Sequence, residues 1–326
     1  MNPPTARRPR ALKDLTPASR HLLDELLAGL QQTPKRIPPK YFYDDRGSRL
    51  FDQICELPEY YPTRTEIALL KEISGDLAKH IGPYAHIIEY GCGSVKKVRP
   101  LLDALDRPSA YVAVDISREH LLEAARTLAT DYPDLEVHAV CADFTKPFKV
   151  KPPQRRPNAR RVGFFPGSTL GNFKPEDAHR FLAQAAAFLG AGGAMVIGID
   201  LKKDVGILDA AYNDSKGVTG AFNLNLLSRI NRELGADFDL QKFRHRAHYN
   251  AANGRVEMHL YSTEDQSVQV DGQVFRFLEG ESIHTENSHK YGIDEFRRMA
   301  QKAGFEPAKI WTDDAQLFSI HYLTVG

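Results

Sequence analysis

Two short apolar runs in this 326-residue chain each lead into residues suited to binding a ligand. The run 85–90 leads into Gly91-Cys92-Gly93, and the run 111–114 leads into Asp115. Gly91 and Asp115 lie 24 positions apart (115 − 91 = 24), which is about the length of one strand–helix–strand unit. Such a unit restricts the fold to a parallel sheet whose strands end at a common, ligand-binding edge.

The residue types at this edge indicate an adenosine-type cofactor. Gly91 and Gly93 have no Cβ atoms, so a ligand can approach the backbone of the turn closely. A carboxylate accepts both hydroxyl protons of a ribose, and this is the role predicted for Asp115, with Ile116 beside it.

A second acid follows the third apolar run. Asp143 can accept a hydrogen bond from an adenine amino group while Phe144 covers the ring. A turn or helix-cap aspartate is the alternative for Asp143. Lys97 is expected in the first helical turn after the glycines, where it can reach the carboxylate of a cofactor or remain solvated.

Strands alternate with helices along the middle of the chain, a pattern that predicts a parallel sheet covered on both faces. We expect strands near 85–90, 110–115, 135–140, 161–166 and 193–200, and helices near 96–105, 117–130 and 175–189. After about residue 201 the pattern changes to one long helix, 204–234, followed by β-like runs at 243–250, 255–262 and 268–277.

The last two predicted strands, 306–312 and 316–323, are close enough in sequence to form a hairpin, so one of them runs antiparallel to the rest. A parallel sheet with a late antiparallel hairpin is typical of S-adenosylmethionine-dependent methyltransferases. Lys96 occupies the third glycine position of a dinucleotide-binding motif, which disfavours a nicotinamide cofactor. We therefore predict an α/β, Rossmann-like class I methyltransferase fold with a seven-stranded, mostly parallel sheet.

Composition excludes several other classes. The net charge of +1 argues against a nucleic-acid partner, because phosphate binding requires a basic surface. No apolar run reaches the length of a membrane span, and three cysteines without CxxC spacing indicate reduced thiols. We expect a cytoplasmic monomer with no membrane contact, and a disordered tail over residues 1–12.

The chain resembles the histidine Nα-methyltransferases, which trimethylate histidine to hercynine in ergothioneine biosynthesis. The resemblance covers roughly residues 18–325, and its most specific part is the proline–tyrosine segment near the start. The matching segments are PKYFYDDRGS (39–48), LFD (50–52), LPEYYPTRTE (57–66), FPGSTLGN (165–172), AYND (211–214), GVTGAFN (217–223) and TENS (285–288).

The resemblance implies two domains. A smaller α+β substrate-binding domain comprises residues 13–64 with 202–291, and the S-adenosylmethionine-binding domain comprises residues 65–201 with 292–326. It also implies that S-adenosylmethionine is the methyl donor and that S-adenosylhomocysteine is the product. Methyl transfer from a sulfonium needs no metal, so we expect none.

The site residues follow from matching positions. By resemblance Asn172 accepts from the substrate amine, Tyr212 and Tyr60 contact the substrate carboxylate, and Tyr43 and Phe51 line the region around the amine. Glu286 and Ser288 grip the two imidazole nitrogens, and Met258 lines the pocket. Tyr43 and Asn172 are taken as the catalytic residues. The predicted cofactor contacts are Gly91, Gly93, Lys97, Asp115, Ile116, Asp143, Phe144, Gly167 and Ser168.

Three alternatives stay open. The same chemistry on tryptophan or a derivative is the nearest, and Glu286 with Ser288 disfavours it because an indole has no second acceptor nitrogen. Asn287, where relatives often carry an apolar residue, leaves strict histidine specificity open. A non-catalytic cofactor-binding protein and a metal site built from His284, Glu286 and His289 are weaker hypotheses.

Overall fold

The computed structural model describes residues 12–14 and 19–326. The predicted disordered tail lies outside these residues except for Leu12, which begins a strand. Within the described chain the α-helices are α1 (Ser19–Leu30), α2 (Asp45–Cys55), α3 (Tyr61–Ile81), α4 (Arg99–Ala104), α5 (Arg118–Asp131), α6 (Pro175–Leu189), α7 (Val205–Tyr212), α8 (Val218–Leu234) and α9 (Ile293–Lys302). Short 3₁₀ helices occur at Pro39–Phe42, Thr169–Asn172 and Leu240–Lys242.

The β-strands are short in the amino-terminal part and longer towards the carboxyl terminus. They are β1 (Leu12–Asp14), β2 (Lys35–Arg36), β3 (His86–Tyr90), β4 (Ala110–Asp115), β5 (Glu136–Cys141), β6 (Arg161–Phe165), β7 (Ala194–Asp200), β8 (Phe243–Asn250), β9 (Arg255–Ser262), β10 (Gln266–Val270), β11 (Gln273–Phe277), β12 (Ser282–His289), β13 (Phe305–Thr312) and β14 (Phe318–Val325).

The chain forms two compact units. The first contains β1 together with Pro62–Lys202 and Tyr291–Gly326, and the second contains residues 19–61 and Lys203–Lys290. We call them the sheet unit and the insert unit. Strand β1 belongs to the sheet unit, which corrects the assignment of residues 13 and 14 to the substrate-binding domain.

The sheet unit is built on one eight-stranded sheet of order β1-β5-β4-β3-β6-β7-β14-β13. Strands β1 and β3 to β7 pair in parallel, and β14 pairs antiparallel with both β7 and β13. The predicted seven strands and their antiparallel hairpin are confirmed, and β1 adds an eighth strand at the edge. This is the class I methyltransferase fold.

Alternate side chains of the central strands pack into two separate hydrophobic clusters, one on each face of the sheet. Ile87 and Ala113 belong to one cluster, and Ile88 and Val112 belong to the other. Because both faces are covered, these strands read as continuous apolar runs, and this made them easy to predict from sequence. Among the described residues, no helix is long and apolar enough to cross a membrane.

The insert unit contains a four-stranded sheet of order β2-β12-β9-β8 and a separate hairpin, β10 with β11. A β-bulge lies between His284 and Glu286 in β12, so His284 pairs with His259 whereas Glu286 pairs with Met258. Thr285 is the extra residue of the bulge, and its hydroxyl donates to the carbonyl of Met258 over 3.1 Å.

Three predicted elements were wrong in detail. The long helix 204–234 is two helices, α7 and α8, because Gly217 adopts φ +71° between them and Asp214 caps the second at Val218 and Thr219. The run 268–277 is two strands rather than one, and they form a hairpin whose turn lies at Asp271-Gly272, a turn signal in the sequence, where both residues have positive φ. The helix after the glycine turn begins at Arg99, so Lys97 lies in the preceding turn.

Gly198 in β7 gives a test of packing in the sheet unit. A Cβ atom there would lie 2.2 Å from Oε1 of Glu66 and 2.9 Å from the Phe318 ring. We expect Gly198→Ala to lower the free energy of unfolding by roughly 1–3 kcal/mol, because both neighbours are buried. Urea unfolding measures the change.

The matched control is Gly75→Ala on the exposed side of α3, where a Cβ meets nothing within 4 Å. That variant should be neutral or up to about 1 kcal/mol more stable, and an equal loss in both variants would contradict this account.

Candidate active site

The glycine turn after β3 has the geometry of a close-approach loop. Gly91 has φ +76°, and its N–H donates to the carbonyl of Val114 on the neighbouring strand over 2.8 Å. A Cβ at Gly91 would lie 3.6 Å from the Phe144 ring, and one at Gly93 would meet no protein atom within 4 Å. The turn therefore leaves open space along its backbone at the carboxyl end of β3.

Asp115 ends β4 at the same edge of the sheet. One carboxylate oxygen accepts from the N–H of Ser117 over 2.8 Å, which fixes the side chain. Burial raises the pKa of Asp115 to about 6, so the group is ionised at neutral pH. Ile116 is partly exposed, and its carbonyl accepts from the Cys141 thiol over 3.6 Å. An ionised acid with a fixed orientation suits a ribose diol.

Asp143 and Phe144 follow β5. Asp143 accepts from the N–H of Thr145 over 3.0 Å, as expected for a turn aspartate. Phe144 packs edge-on against Phe165 and Phe181, with ring centroids 5.7 and 5.9 Å apart. The contact with Thr145 is that of a turn aspartate, and the adenine contact of Asp143 stays a prediction.

A buried ion pair connects two of the loops at this edge. The carboxylate of Glu66 on α3 lies 2.9 Å from Nζ of Lys97 and accepts from the N–H of Gly167 over 2.9 Å. Glu66 is only 1% exposed and Lys97 only 14%. Lys97 is therefore held beside the loop after β6, where Gly167 takes φ +80° and Ser168 takes φ +54°.

The loop after β6 is further fixed by Ser168, whose hydroxyl accepts from the N–H of Asp200 over 2.9 Å. Asn172 is the last residue of the 3₁₀ helix in this loop and is partly exposed. All nine predicted cofactor residues and Asn172 thus lie in the sheet unit at, or shortly after, the carboxyl ends of β3, β4, β5 and β6. This is the edge at which open α/β sheets bind ligands.

The predicted aromatic residues come together in the insert unit. The rings form a continuous series: Tyr43 with Phe51 at 5.8 Å, Phe51 with Tyr60 at 6.3 Å, and Tyr60 with Tyr212 at 6.0 Å between centroids. All three contacts are edge-to-face, the arrangement that aromatic quadrupoles favour. Burial raises the pKa of the Tyr60 hydroxyl well above its ordinary value, so this tyrosine stays protonated.

Two further predicted residues lie together on β12. Glu286 and Ser288 are two positions apart beyond the bulge, so they face the same side, and Glu286 is paired with Met258 of β9. The hydroxyl of Tyr212 donates to Oγ of Ser288 over 2.7 Å. Seven of the predicted substrate residues therefore belong to one compact unit.

Lys290 is a functional candidate that sequence reasoning missed. Its side chain is 2% exposed, and its ammonium donates to Oγ of Ser288 over 2.8 Å and to the Tyr212 hydroxyl over 3.0 Å. The ammonium also lies 5.0 Å from the centre of the Tyr212 ring. The signal in the sequence was weak: a lysine two residues after Ser288 on a polar segment reads as a solvated charge.

The metal set considered from sequence does not form. His284 and Glu286 face opposite sides of the sheet because of the bulge, and the His284 ring contacts the backbone carbonyl of Glu286 over 3.0 Å. Residues two apart share a side only in an uninterrupted strand, so the bulge separates these two side chains.

Burial raises the pKa of Glu286 to about 7, and the positive charge of Lys290 opposes this rise. In the unfolded chain a glutamate titrates near 4.5. Between these pH values the folded protein binds a proton that the unfolded chain has released, so stability falls as the pH rises through this window.

Glu286→Gln tests this linkage. The variant cannot ionise, so its unfolding free energy should fall less between pH 5 and pH 8 than that of the unchanged protein, by about 1–3 kcal/mol. Urea unfolding at both pH values measures the difference. Glu89, whose pKa burial raises to about 8, is common to both proteins and cancels. Parallel pH dependences in the two proteins would contradict the assignment.

Comparison with known proteins identifies the family of this chain. A model of the S-adenosylmethionine-dependent histidine-specific methyltransferases matches residues 22–325. The histidine N-alpha-methyltransferase of Mycolicibacterium smegmatis is 39% identical over 93% of this chain and 94% of its own length, and that of Mycobacterium tuberculosis is 39% identical over 91% and 92%. Ergothioneine biosynthesis protein 1 of Neurospora crassa is 32% identical over 86% of this chain and 32% of its own length. The chain belongs to the S-adenosylmethionine-dependent, histidine-specific methyltransferase family.

Proposed function

We propose that this protein transfers methyl groups from S-adenosylmethionine to the α-amino group of L-histidine, three times in succession, to give hercynine. The observation that carries the proposal is the grouping of Glu286, Ser288, Tyr212 and Lys290 in one buried polar cluster. The names of the relatives from Mycolicibacterium smegmatis and Mycobacterium tuberculosis support the same acceptor.

The hydrogen bonds of this cluster favour a neutral imidazole. Ser288 Oγ receives hydrogen bonds from both Tyr212 and Lys290, which fill its two acceptor positions. Its own hydrogen is then donated outward, towards a lone pair. Ionised Glu286 on the same face accepts an N–H. An imidazole presents one N–H and one lone pair, whereas an indole presents only the N–H.

The remaining groups of the acceptor have proposed partners among the other predicted residues. The amide oxygen of Asn172 accepts from the substrate amine, and the hydroxyls of Tyr212 and Tyr60 serve the carboxylate, Tyr60 through a water. Binding of the carboxylate turns the single O–H of Tyr212 from Ser288 to the substrate, and Lys290 remains as the donor to Ser288. The faces of Tyr43 and Phe51 favour methylated ammonium groups through cation–π attraction of about 0.5–2 kcal/mol, which retains partly methylated histidine.

The residues of the sheet edge fit the methyl donor. The turn at Gly91 leaves room along its backbone, Asp115 is fixed and ionised for the ribose, and Phe144 offers an apolar surface. When bound, the donor supplies a methyl group on a positively charged sulfur. This sulfur is an activated leaving group, so the methyl transfer needs no metal. The chain's part is to hold a deprotonated amine in line with the methyl carbon, and such positioning can contribute about 7–11 kcal/mol.

A direct assay tests the acceptor. The protein is incubated with S-adenosylmethionine and each of the twenty amino acids, and mass spectrometry follows gains of one, two and three methyl groups. We expect histidine to gain three and tryptophan none, and unmodified histidine would overturn the proposal.

Glu286→Ala should lower kcat/KM for histidine by about 10²-fold or more, because it removes a charge-assisted hydrogen bond. Full histidine preference in that variant would refute the pocket assignment.

Lys290 gives a second, independent prediction. In Lys290→Met the Ser288 hydroxyl loses one donor, and Glu286 loses the charge that lowers its pKa. The KM for histidine should rise about tenfold or more, and the pH at which kcat/KM reaches half its maximum should move upward. Lys302→Met, an exposed lysine at the end of α9, is the matched control and should leave both unchanged. A loss of activity with an unmoved pH profile would assign Lys290 a merely structural role.

A further inference from the structure

We propose that the insert unit carries a binding site for a divalent transition metal of the zinc class, formed by His248, Glu257 and His259. These residues lie on the paired strands β8 and β9, where His248 is the direct partner of Glu257. Their three ligand atoms lie within 4.8 Å of one another. Nothing in the proposed methyl transfer uses this cluster.

The distances suit a tetrahedral ion. Oε2 of Glu257 lies 3.4 Å from Nε2 of His259 and 3.7 Å from Nε2 of His248. Ligand atoms around a tetrahedral zinc, each at 2.0–2.1 Å from the metal, lie roughly 3.3 Å apart. The carboxylate thus already lies between two ring nitrogens at close to the required spacing. The two ring nitrogens lie within 4.8 Å of each other, and rotation of the His248 and His259 side chains would bring them closer around an ion.

The surrounding groups fix the three ligands. The other carboxylate oxygen of Glu257 accepts from Nε and Nη2 of Arg255, both over 2.7 Å, and from Asn250 over 3.1 Å. Oε2 is thereby directed to the histidines. Nδ1 of His259 contacts the Ser282 hydroxyl over 3.1 Å, the kind of outer contact that sets the tautomer of a metal-binding histidine.

The histidine rings are also suited to binding. His259 is sandwiched between His248 and His284, with ring centroids 5.4 and 4.8 Å away and interplanar angles of 20° and 15°. The side chain of His248 is 39% exposed, which gives an ion a route from solvent.

The metal site and the acceptor residues lie on opposite faces of the insert-unit sheet. Glu257 and His259 flank Met258 in β9, and successive side chains of a strand point to opposite faces. Met258 is paired with Glu286, so the metal face is opposite to the one that carries the acceptor cluster. The bound ion therefore ties β8 to β9 and takes no part in methyl transfer.

Binding of cobalt and zinc to the full chain tests the site. After chelator treatment and its removal, we expect one Co²⁺ per chain with visible absorption of a tetrahedral or five-coordinate ion, displaced by Zn²⁺. Zinc at about 100 times its Kd should raise Tm by about 5 °C. His248→Ala should weaken binding at least 30-fold, and His248→Asp, which keeps a ligand at this partly exposed position, should retain more of it.

The control is His179→Ala, an exposed histidine on α6 that should leave binding unchanged. Far-UV circular dichroism checks that each variant is folded, and Glu257→Gln provides a second loss of ligand. Absence of stoichiometric metal binding to the unchanged protein would overturn the proposal. Equal affinity in His248→Ala and in the unchanged protein would overturn it as well.

Discussion

A carboxylate that is almost wholly removed from water organises the ligand edge of the sheet unit. Glu66 is buried, and an isolated charge in such a place costs several kcal/mol, so it must be paired. Its partners are the Lys97 ammonium and the Gly167 N–H, which belong to the loops after β3 and β6. These loops are far apart in sequence, and the shared carboxylate holds both. The absence of a side chain at Gly198 gives Glu66 its room.

The insert unit meets the same requirement with a different arrangement. Lys290 and Glu286 are both buried, and the hydroxyl oxygens of Tyr212 and Ser288 accept from the Lys290 ammonium. The hydrogen bonds among Tyr212, Ser288 and Lys290 orient these three side chains, because a rotation of any one leaves a donor or acceptor unpaired. The cluster thus fixes the direction of hydrogen bonds before any acceptor arrives. Preorganisation of this kind lowers the ordering cost of binding.

The sheet unit could be predicted from sequence far better than the insert unit, for a physical reason. Strands such as β3 and β4 are buried on both faces and read as apolar runs that alternate with amphipathic helices. Strand β12 reads Ser-Ile-His-Thr-Glu-Asn-Ser-His and has no such signal, because polar groups on it are buried against partners from other elements. Its position as a central strand depends on pairing with β9, which is a tertiary property.

The residues of the candidate site divide in the same way. Gly91 and Asp115 could be found from local pattern, since a turn and a strand end are local features. Lys97 was predicted in the first turn of the helix after the glycines. It lies in the turn before that helix, which starts only at Arg99. Lys290 could not be found, because nothing local distinguishes a buried lysine from a solvated one. The resemblance to a known family supplied Tyr60, Tyr212, Glu286 and Ser288, and their roles remain predictions.

The bulge at Thr285 has a consequence for how this protein can change over evolutionary time. Thr285 is the one residue between His284 and Glu286 without a partner on β9, so its loss would restore a regular ladder in which Glu286 stays opposite Met258 and keeps its face. Beyond the bulge the side chains alternate with period two, so a single-codon deletion at Asn287 would make Glu286 and Ser288 neighbours that point to opposite faces. Acceptor choice in this fold is therefore exposed to insertions and deletions as much as to substitutions.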